Sequence, residues 1–257
     1  VSSETLGDRM KRYENVNRAY LPWRTYTLMR LDGRAFHTYL RGAVKPFDRH
    51  FASDMARMSL RLCEEIQGAK FAYTQSDEVS LLLTDFDTIS SQPWFGGNIN
   101  KMVSLSAALA TGYMTKLRLM WGEGIPQFDC RVWTMSDPVE VANYFIWRQR
   151  DAVRNSIQAA GQKYFSPAQL RGKNSGQIQE MLWSKCQINW NDYPPEFKRG
   201  QLIAPVEGEG WVTAPAPRFG AEPGTMLAQL IPQLPTLTMQ EGDDSAAQAD
   251  GSGPARS

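Results

Sequence analysis

The stretch Phe71-Ala72-Tyr73-Thr74-Gln75-Ser76-Asp77-Glu78-Val79-Ser80-Leu81-Leu82-Leu83 decides how the rest of the chain is read. Strand formers lead in, Val79, Leu81 and Leu83 alternate against Ser80, and the pattern predicts strand, tight acidic reversal, strand, with Asp77 and Glu78 at a sheet edge. Taken by itself such a turn is better read as a solvated hairpin, where Asp is common. Carboxylates held rigidly there grip a hard cation only if a second acid arrives from elsewhere in the chain.

Upstream, Tyr26-Thr27-Leu28-Met29-Arg30-Leu31 is a second run of strand formers, and it stops at Asp32-Gly33-Arg34. This is the second acid. After a loop with Lys45-Pro46-Phe47-Asp48, the residues Phe51, Met55, Met58, Leu62 and Ile66 step by three or four and predict an amphipathic helix lying on a sheet. Downstream, Trp94-Phe95-Gly96-Gly97 breaks the chain, Val103, Ala107, Ala110, Met114 and Leu117 mark another helix, and Phe128 to Met135 reads as a fourth strand. The order β, α, β, β, α, β over residues 25–135 is that of a ferredoxin-like split unit: an α+β fold with an antiparallel sheet and two helices on one face. In it Asp32 and Asp77 fall on adjacent central strands, as in a nucleotidyl-transfer palm.

The flanks are helical. Thr5-Leu6-Gly7-Asp8 caps a first helix with Leu6, Met10, Tyr13 and Tyr20 on one stripe, ending near Pro22. Asp137-Pro138-Val139-Glu140 is a strong helix start leading into Tyr144, Phe145 and Trp147, read as core-facing, with Arg148, Arg150 and Arg154 as a basic face. Ser166-Pro167 begins a short helix, Ser175 caps another, and Phe197 to Ile203 reads as a hairpin arm with two cations. From Ala214 proline, glycine and alanine replace the pattern, and Glu241 to Ser257 has the composition of a disordered tail. The expected organisation is a catalytic palm with its N-terminal helix at 1–135, a helical and hairpin extension at 136–213, and an irregular tail at 214–257.

The chain's 257 residues suffice for a core that needs no staple. With 28 Lys and Arg against 27 Asp and Glu there is no global field to recruit nucleic acid, so polyanion binding must rest on local clusters. Cys63, Cys130 and Cys186 are scattered without CxxC spacing, which argues against a disulfide framework or zinc and fits a reducing compartment. No apolar run approaches membrane-spanning length and the N-terminus lacks a signal pattern, so a soluble, cytoplasmic protein is expected.

Two carboxylates on neighbouring strand ends suit magnesium, which takes oxygen ligands, keeps waters and completes its shell with phosphate. A pair of such ions activates an attacking hydroxyl and neutralises a departing oxygen. Asp32, Asp77 and the carbonyl of Gly33 are the candidate metal ligands, with Glu78 ranked below them. Lys45 offers a point charge to a triphosphate, although an isolated loop lysine is more often just solvated, and Lys101, in a helix first turn after two glycines, is the more suggestive of the two. With His37 and His50 the only histidines, relay chemistry is not expected.

In order along the chain, Arg30-Leu31-Asp32-Gly33-Arg34-Ala35-Phe36-His37, Lys45-Pro46-Phe47-Asp48, Gln75-Ser76-Asp77-Glu78, Trp94-Phe95 with Lys101, Phe128-Asp129-Cys130-Arg131, Trp147-Arg148-Gln149 and Ile188-Asn189-Trp190-Asn191 resemble the tRNA-His guanylyltransferase superfamily, and more closely its bacterial-type guanylyltransferase-like branch of 3′-to-5′ polymerases. The resemblance implies Mg²⁺-dependent addition of nucleotides to a tRNA 5′ end. A 5′-monophosphate is activated with ATP or GTP, and the 3′-hydroxyl of an incoming nucleotide then displaces the activating group. It implies catalytic acids Asp32, Asp77 and Glu78; two Mg²⁺ ions on Asp32, Gly33 and Asp77; and nucleotide contacts from Gly33, Arg34, Ala35, Phe36, His37, Lys45, Asp48, Ser76 and Lys101. It further implies tRNA contact by residues 136–213 and assembly into a dimer or tetramer. Where the eukaryotic enzymes carry His-Ile-Asn-Asn, this chain has Val153-Arg154-Asn155-Ser156, and where they carry consecutive arginines it has Gly96-Gly97-Asn98. Both departures favour the repair of 5′-truncated tRNA by templated addition over dedicated guanosine addition to tRNA-His. A nucleotide cyclase of the same palm and a catalytically idle tRNA-binding protein are the alternatives.

Overall fold

The computed structural model describes residues 4–119, 124–220 and 226–235, so the segment Glu241 to Ser257 lies outside the described residues. The strands β1 (Tyr26–Gly33), β2 (Ala69–Gln75), β3 (Glu78–Leu83), β4 (Phe128–Met135), β5 (Gln201–Val206) and β6 (Gly210–Pro215) form one antiparallel sheet in the order β4-β1-β3-β2-β5-β6. The first four are the strands and order expected of the split βαββαβ unit. β3 is buried along its whole length, which is why Leu81-Leu82-Leu83 is continuously apolar instead of alternating.

On one face, α3 (Arg49–Glu65) and α4 (Ile99–Arg118) lay Met55, Met58, Leu62, Met102, Ala110 and Met114 against Met29, Leu31, Val79 and Leu81. Asp48 caps α3 and Asn98 caps α4, each accepting from a backbone N–H three residues on. The other face is covered by α5 (Pro138–Tyr164), whose Val141, Tyr144, Phe145 and Ala152 meet Tyr26, Leu28, Phe71, Tyr73 and Leu82. After the short α6 (Pro167–Leu170) comes α7 (Ser175–Cys186), whose Ile178 and Leu182 pack with Ile157 and Ala160 farther along α5. Among the described residues no helix is long and apolar enough to cross a membrane.

Several expectations are corrected. The first helix, α1 (Leu6–Asn15), is capped by Thr5 as expected but stops well before Pro22, and none of its residues is buried. The N-cap of α7 is Asn174, which forms a capping box with Gln177; Ser175 is already helical. Pro195–Arg199 is a short helix, and the hairpin begins only at Gln201, after Gly200 turns at φ +76° where a Cβ would come within 2.4 Å of the Thr74 carbonyl oxygen. That hairpin packs on the palm as expected, through a ladder in which β5 pairs with β2 through Ala72↔Ile203 and extends the sheet. Residues read as irregular tail also join the core, since Ala216, Phe219, Leu227 and Ile231 are buried over Tyr26 and Tyr73. Trp147, read as core-facing, is 53% exposed, while Arg148 is buried. The buried stripe of α5 runs through Val141, Tyr144, Phe145, Arg148, Gln149 and Ala152, which turns position 147 outward.

Candidate active site

β1 ends in Asp32-Gly33, and β2 and β3 are joined by Ser76-Asp77, with Ser76 in the left-handed region at φ +49°. The register pairs Asp32 with Glu78 across β1 and β3, and the Gly33 N–H donates to the Asp77 carbonyl at 3.1 Å, carrying the ladder into the turn. Opposed residues share a sheet face. Asp32 and Glu78 therefore both lie on the face covered by α5, with Asp77 beside them. Burial, joined by the charges of Asp32 and Glu78, lifts the Asp77 carboxyl above its ordinary value, although the Ser76 hydroxyl donates to Asp77 Oδ1 at 3.0 Å.

Glu78 is differently engaged. Arg148 donates from Nε to Oε1 at 2.7 Å and from the guanidinium to Oε2 at 2.6 Å, and both side chains are over nine-tenths buried. This fork-to-fork pair occupies both carboxylate oxygens. Arg148 also lies 3.3 Å from Asp151, and its guanidinium sits 4.5 Å from the centre of the Trp147 ring. Burial disfavours its charge, but Glu78 and Asp151 outweigh this and hold its pKa above the ordinary value. Arg148 is thus no part of a solvated basic face, whereas Arg150 and Arg154 are both exposed, Arg154 paired with Asp151.

The turn after Gly33 is packed from beneath. A Cβ on Gly33 would come within 2.4 Å of the Phe36 ring, which is buried against Phe51 and Phe128. Ala35 takes φ +56° to start the single-turn α2 (Phe36–Tyr39). Arg34 is tied back by its guanidinium to Gln127 at 2.8 Å, and His37 is exposed. Among the described residues no acceptor takes the backbone N–H of Ala35, Phe36 or His37.

Beside the turn lies a cavity of about 470 Å³ between the loop 43–48, α3, the β2–β3 turn and the middle of α5. Lys45 and Ser76 line it. Asp48 lines it too, but its two oxygens accept from Phe51 N–H at 2.9 Å and Val44 N–H at 3.0 Å. Burial works against its charge, and those backbone bonds prevail and hold its pKa low. Asp48 is the clasp that shapes the Lys45 loop. The cavity also exposes residues the sequence did not single out: Lys163, Glu196 and Gln201. The mixed polar and small residues at Ala152, Asn155, Ser156, Ala159 and Lys163, three or four apart, were the available signal.

Lys101 is not brought to this site. β3 ends at Leu83 opposite Thr27, α4 starts from that end of the sheet, and after 20 residues, about 30 Å, the chain returns at Phe128 opposite Gly33. Lys101 therefore opens α4 at the end of the sheet remote from the acids, with its ammonium 5.7 Å from the centre of the Phe95 ring.

Among the described residues no group of three or more His, Cys, Asp or Glu side chains forms a metal cage. Magnesium needs less protein than that, because water and phosphate fill its shell. Asp32, Asp77 and the Gly33 carbonyl are an all-oxygen set, and burial, with the charges of Asp32 and Glu78 beside it, raises the pKa of Asp77, a cost to its charged form that a cation would offset. The residues fit the ion.

A family model described as Thg1, tRNAHis guanylyltransferase, matches residues 7–136. A bacterial tRNA(His) guanylyltransferase (Thg1)-like protein solved in complex with ATP is 39% identical, with a TM-score of 0.83 over 88% of this chain and 99% of that one. A structure of the same description in complex with GTP is 37% identical, with a TM-score of 0.72 over 83% and 93% of the two chains. The probable tRNA(His) guanylyltransferase of Dictyostelium discoideum is 25% identical over 198 residues, 69% of this chain and 74% of its own length.

Proposed function

Since this chain belongs to the tRNAHis guanylyltransferase family of nucleotidyltransferases, we propose that it adds nucleotides to the 5′ end of tRNA in the 3′-to-5′ direction, as templated repair of 5′-truncated molecules. The observation that carries this reading is the juxtaposition of the Asp32-Gly33 strand end and the Asp77 turn with the cavity beside them. Its volume is in the range of small-molecule sites. The likeness to proteins solved with ATP and with GTP supports a nucleoside triphosphate as its occupant.

Lys45 presents a charge to the triphosphate, Asp48 holds the Lys45 loop in shape, and the free N–H groups of Ala35 to His37 face phosphate oxygens. When bound, magnesium would be held by Asp32, Asp77 and the Gly33 carbonyl, and it would neutralise phosphate charge and ease loss of the proton from the attacking hydroxyl. Ser76 orients the Asp77 carboxylate through its 3.0 Å bond. Glu78, saturated by Arg148, acts by positioning and not as a ligand. Because the protein contributes mostly placement and electrostatics, the chemistry follows the phosphoryl-transfer pattern. In activation a 5′-phosphate oxygen attacks the α-phosphorus and pyrophosphate leaves. In addition the 3′-hydroxyl of the incoming nucleotide attacks the 5′-phosphorus and the activating nucleotide leaves as its monophosphate.

Val153 turns its apolar side chain toward the cluster around Ile157 and Ile178, and the eukaryotic-type histidine is absent there. This favours template-directed choice of nucleotide. The names of the family and of the amoebal relative favour a second reading, guanosine addition to tRNA-His. Residues 136–213, with exposed Arg150 and Lys163, are assigned to tRNA contact, and the uncovered stripe Leu6, Met10 and Tyr13 of α1 to assembly into a dimer or tetramer. The scattered thiols suit the cytoplasm. The test is a 5′-monophosphorylated tRNA lacking its first nucleotide, offered each triphosphate in turn. Extension only by the complement of the opposing base is expected; guanosine regardless of template establishes the second reading, and no extension by any triphosphate defeats both.

A further inference from the structure

A second concavity, about 450 Å³ and open along its length, runs between β4, β1 and the first turns of α5. Arg30, Trp133 and Met135 form its floor, and Asn143, Tyr144 and Trp147 its wall. The Trp133 and Tyr144 rings meet at 5.2 Å, and the Tyr144 and Trp147 rings at 6.0 Å, so the aromatic surface is continuous. Trp147 is more than half exposed, and β4 is the outer strand, so within the described residues nothing closes the groove from that side.

One end of the groove approaches the acids, while the other, at Trp133 and Met135, lies opposite Leu28 and Tyr26 toward the far end of the sheet. Arg30 lies two residues before Asp32 on the same face of β1, about 7 Å along the strand. Its Nε is buried, has no hydrogen-bond partner among the described residues and stands 4.0 Å from Glu78. Along α5 the groove is lined by Glu140 to Trp147 and the cavity by Ala152 to Lys163, with Arg148 between the two sets. The reaction centre thus has a less open pocket on one side and a more open aromatic trough on the other.

We propose that the trough is a stacking platform for an unpaired nucleobase of the tRNA acceptor end, the 3′ overhang beside the 5′ terminus; this rests on the nucleotidyl-transfer reading above. A phosphate track is disfavoured, because the floor supplies one cation, already facing Glu78, and Glu140 stands at the rim with its carboxylate accepting from Asn143. Aromatic faces take any base. A free nucleotide is better served by the less open cavity, whereas a polymer end requires an open trough. The polar edges of Asn143 and Glu140 are available to the base rim.

The test measures affinity for two 5′-monophosphorylated tRNAs, one with its 3′ overhang and one trimmed of it, using wild type, Trp147→Ala and Trp147→Phe, with ATP affinity by calorimetry as the control. Loss of one stacked base predicts binding of the overhang tRNA about 5- to 150-fold weaker for Trp147→Ala, largely restored in Trp147→Phe. The trimmed tRNA should bind wild type weakly and not respond to the substitution, and ATP affinity should not change. The inference is overturned if Trp147→Ala binds both tRNAs as wild type does, if it loses equally on the trimmed tRNA, if ATP affinity falls in parallel, or if the loss appears in the KM of the incoming nucleotide instead. Wild type that extends tRNA normally while Trp147→Ala is unaffected sinks only the platform. Wild type that neither binds nor extends tRNA sinks the underlying reading.

Discussion

Replacing Arg148 with methionine removes both donors from the Glu78 carboxylate while keeping much of the buried volume. The two side chains are 7% and 9% exposed, so water cannot take the place of the lost partner. Stranding a buried charge in this way costs roughly 3–5 kcal/mol. Arg30, with Nε 4.0 Å from Glu78 Oε2, softens the loss and places the value near the lower end, about 3 kcal/mol. In a chain of this size that lowers Tm by about 6–12 °C. Glu78→Gln alone should cost about 1 kcal/mol, since Arg148 keeps Asp151 at 3.3 Å and the glutamine still accepts a hydrogen bond. In the Glu78→Gln background no carboxylate is left without a partner, because Asp151 keeps Arg154, and Arg148→Met should add only about 1 kcal/mol more, a coupling of about 2 kcal/mol. Thermal unfolding of the four proteins in chelator, followed by circular dichroism, measures the cycle. Additivity within about 0.5 kcal/mol would show that the pair does not carry the energy its geometry implies. Repeating the melts with magnesium tests the division of labour: Glu78→Gln should retain the metal-induced rise in Tm, and losing it as fully as Asp77→Asn does would make Glu78 a ligand.

The raised pKa of Asp77 has a definite sign in stability. Folding binds its proton more tightly than the unfolded chain does, so stability falls as pH rises from the ordinary carboxylate value through the raised one and is flat above it. Asp77→Asn should remove that fall and melt higher than wild type in chelator at neutral pH, while magnesium should raise Tm for wild type only; a lower-melting Asp77→Asn would reverse the assignment. Gly33→Ala forces a Cβ to within 2.4 Å of the buried Phe36 ring and should destabilise by about 1–3 kcal/mol while impairing magnesium binding; a variant with unchanged Tm and metal affinity would refute the close packing. Burial pushes Cys130 up to about 11 and Cys63 higher still, so brief alkylation at neutral pH, read by mass spectrometry, should label Cys186 ahead of both. Preferential labelling of Cys63 would contradict its burial.

The parts of the fold legible in the sequence were those governed by local patterns. Runs of strand formers marked β1 to β4, the three-four spacing of Phe51 to Ile66 marked α3, and capping residues at Thr5, Asp137 and Ser166 marked helix starts, because each depends on neighbours within a turn or two of the chain. What the sequence left open or misread depends on distant partners. The hairpin of Gln201 to Pro215 continues the sheet because β2 had an open edge. Ala216 and Phe219 became core because the α5 face of the sheet still had Tyr73 to cover, a demand that no local pattern in a proline-rich stretch can announce.

The acidic hairpin shows the same division. Its residue types and its pairing with the Asp32-Gly33 strand end were fixed by chain order, since in a βαββαβ unit the first strand and the hairpin must become neighbours. What only the tertiary structure decided was which acid is free. Glu78 is neutralised by an arginine 70 residues away on a helix that reads as a basic face in one dimension, whereas Asp77 at the turn escapes that pairing and bears the unrelieved charge. Spacing along one helix tells which side chains share a face, but the identity of the partner across a packed interface is set by where two distant segments come to rest.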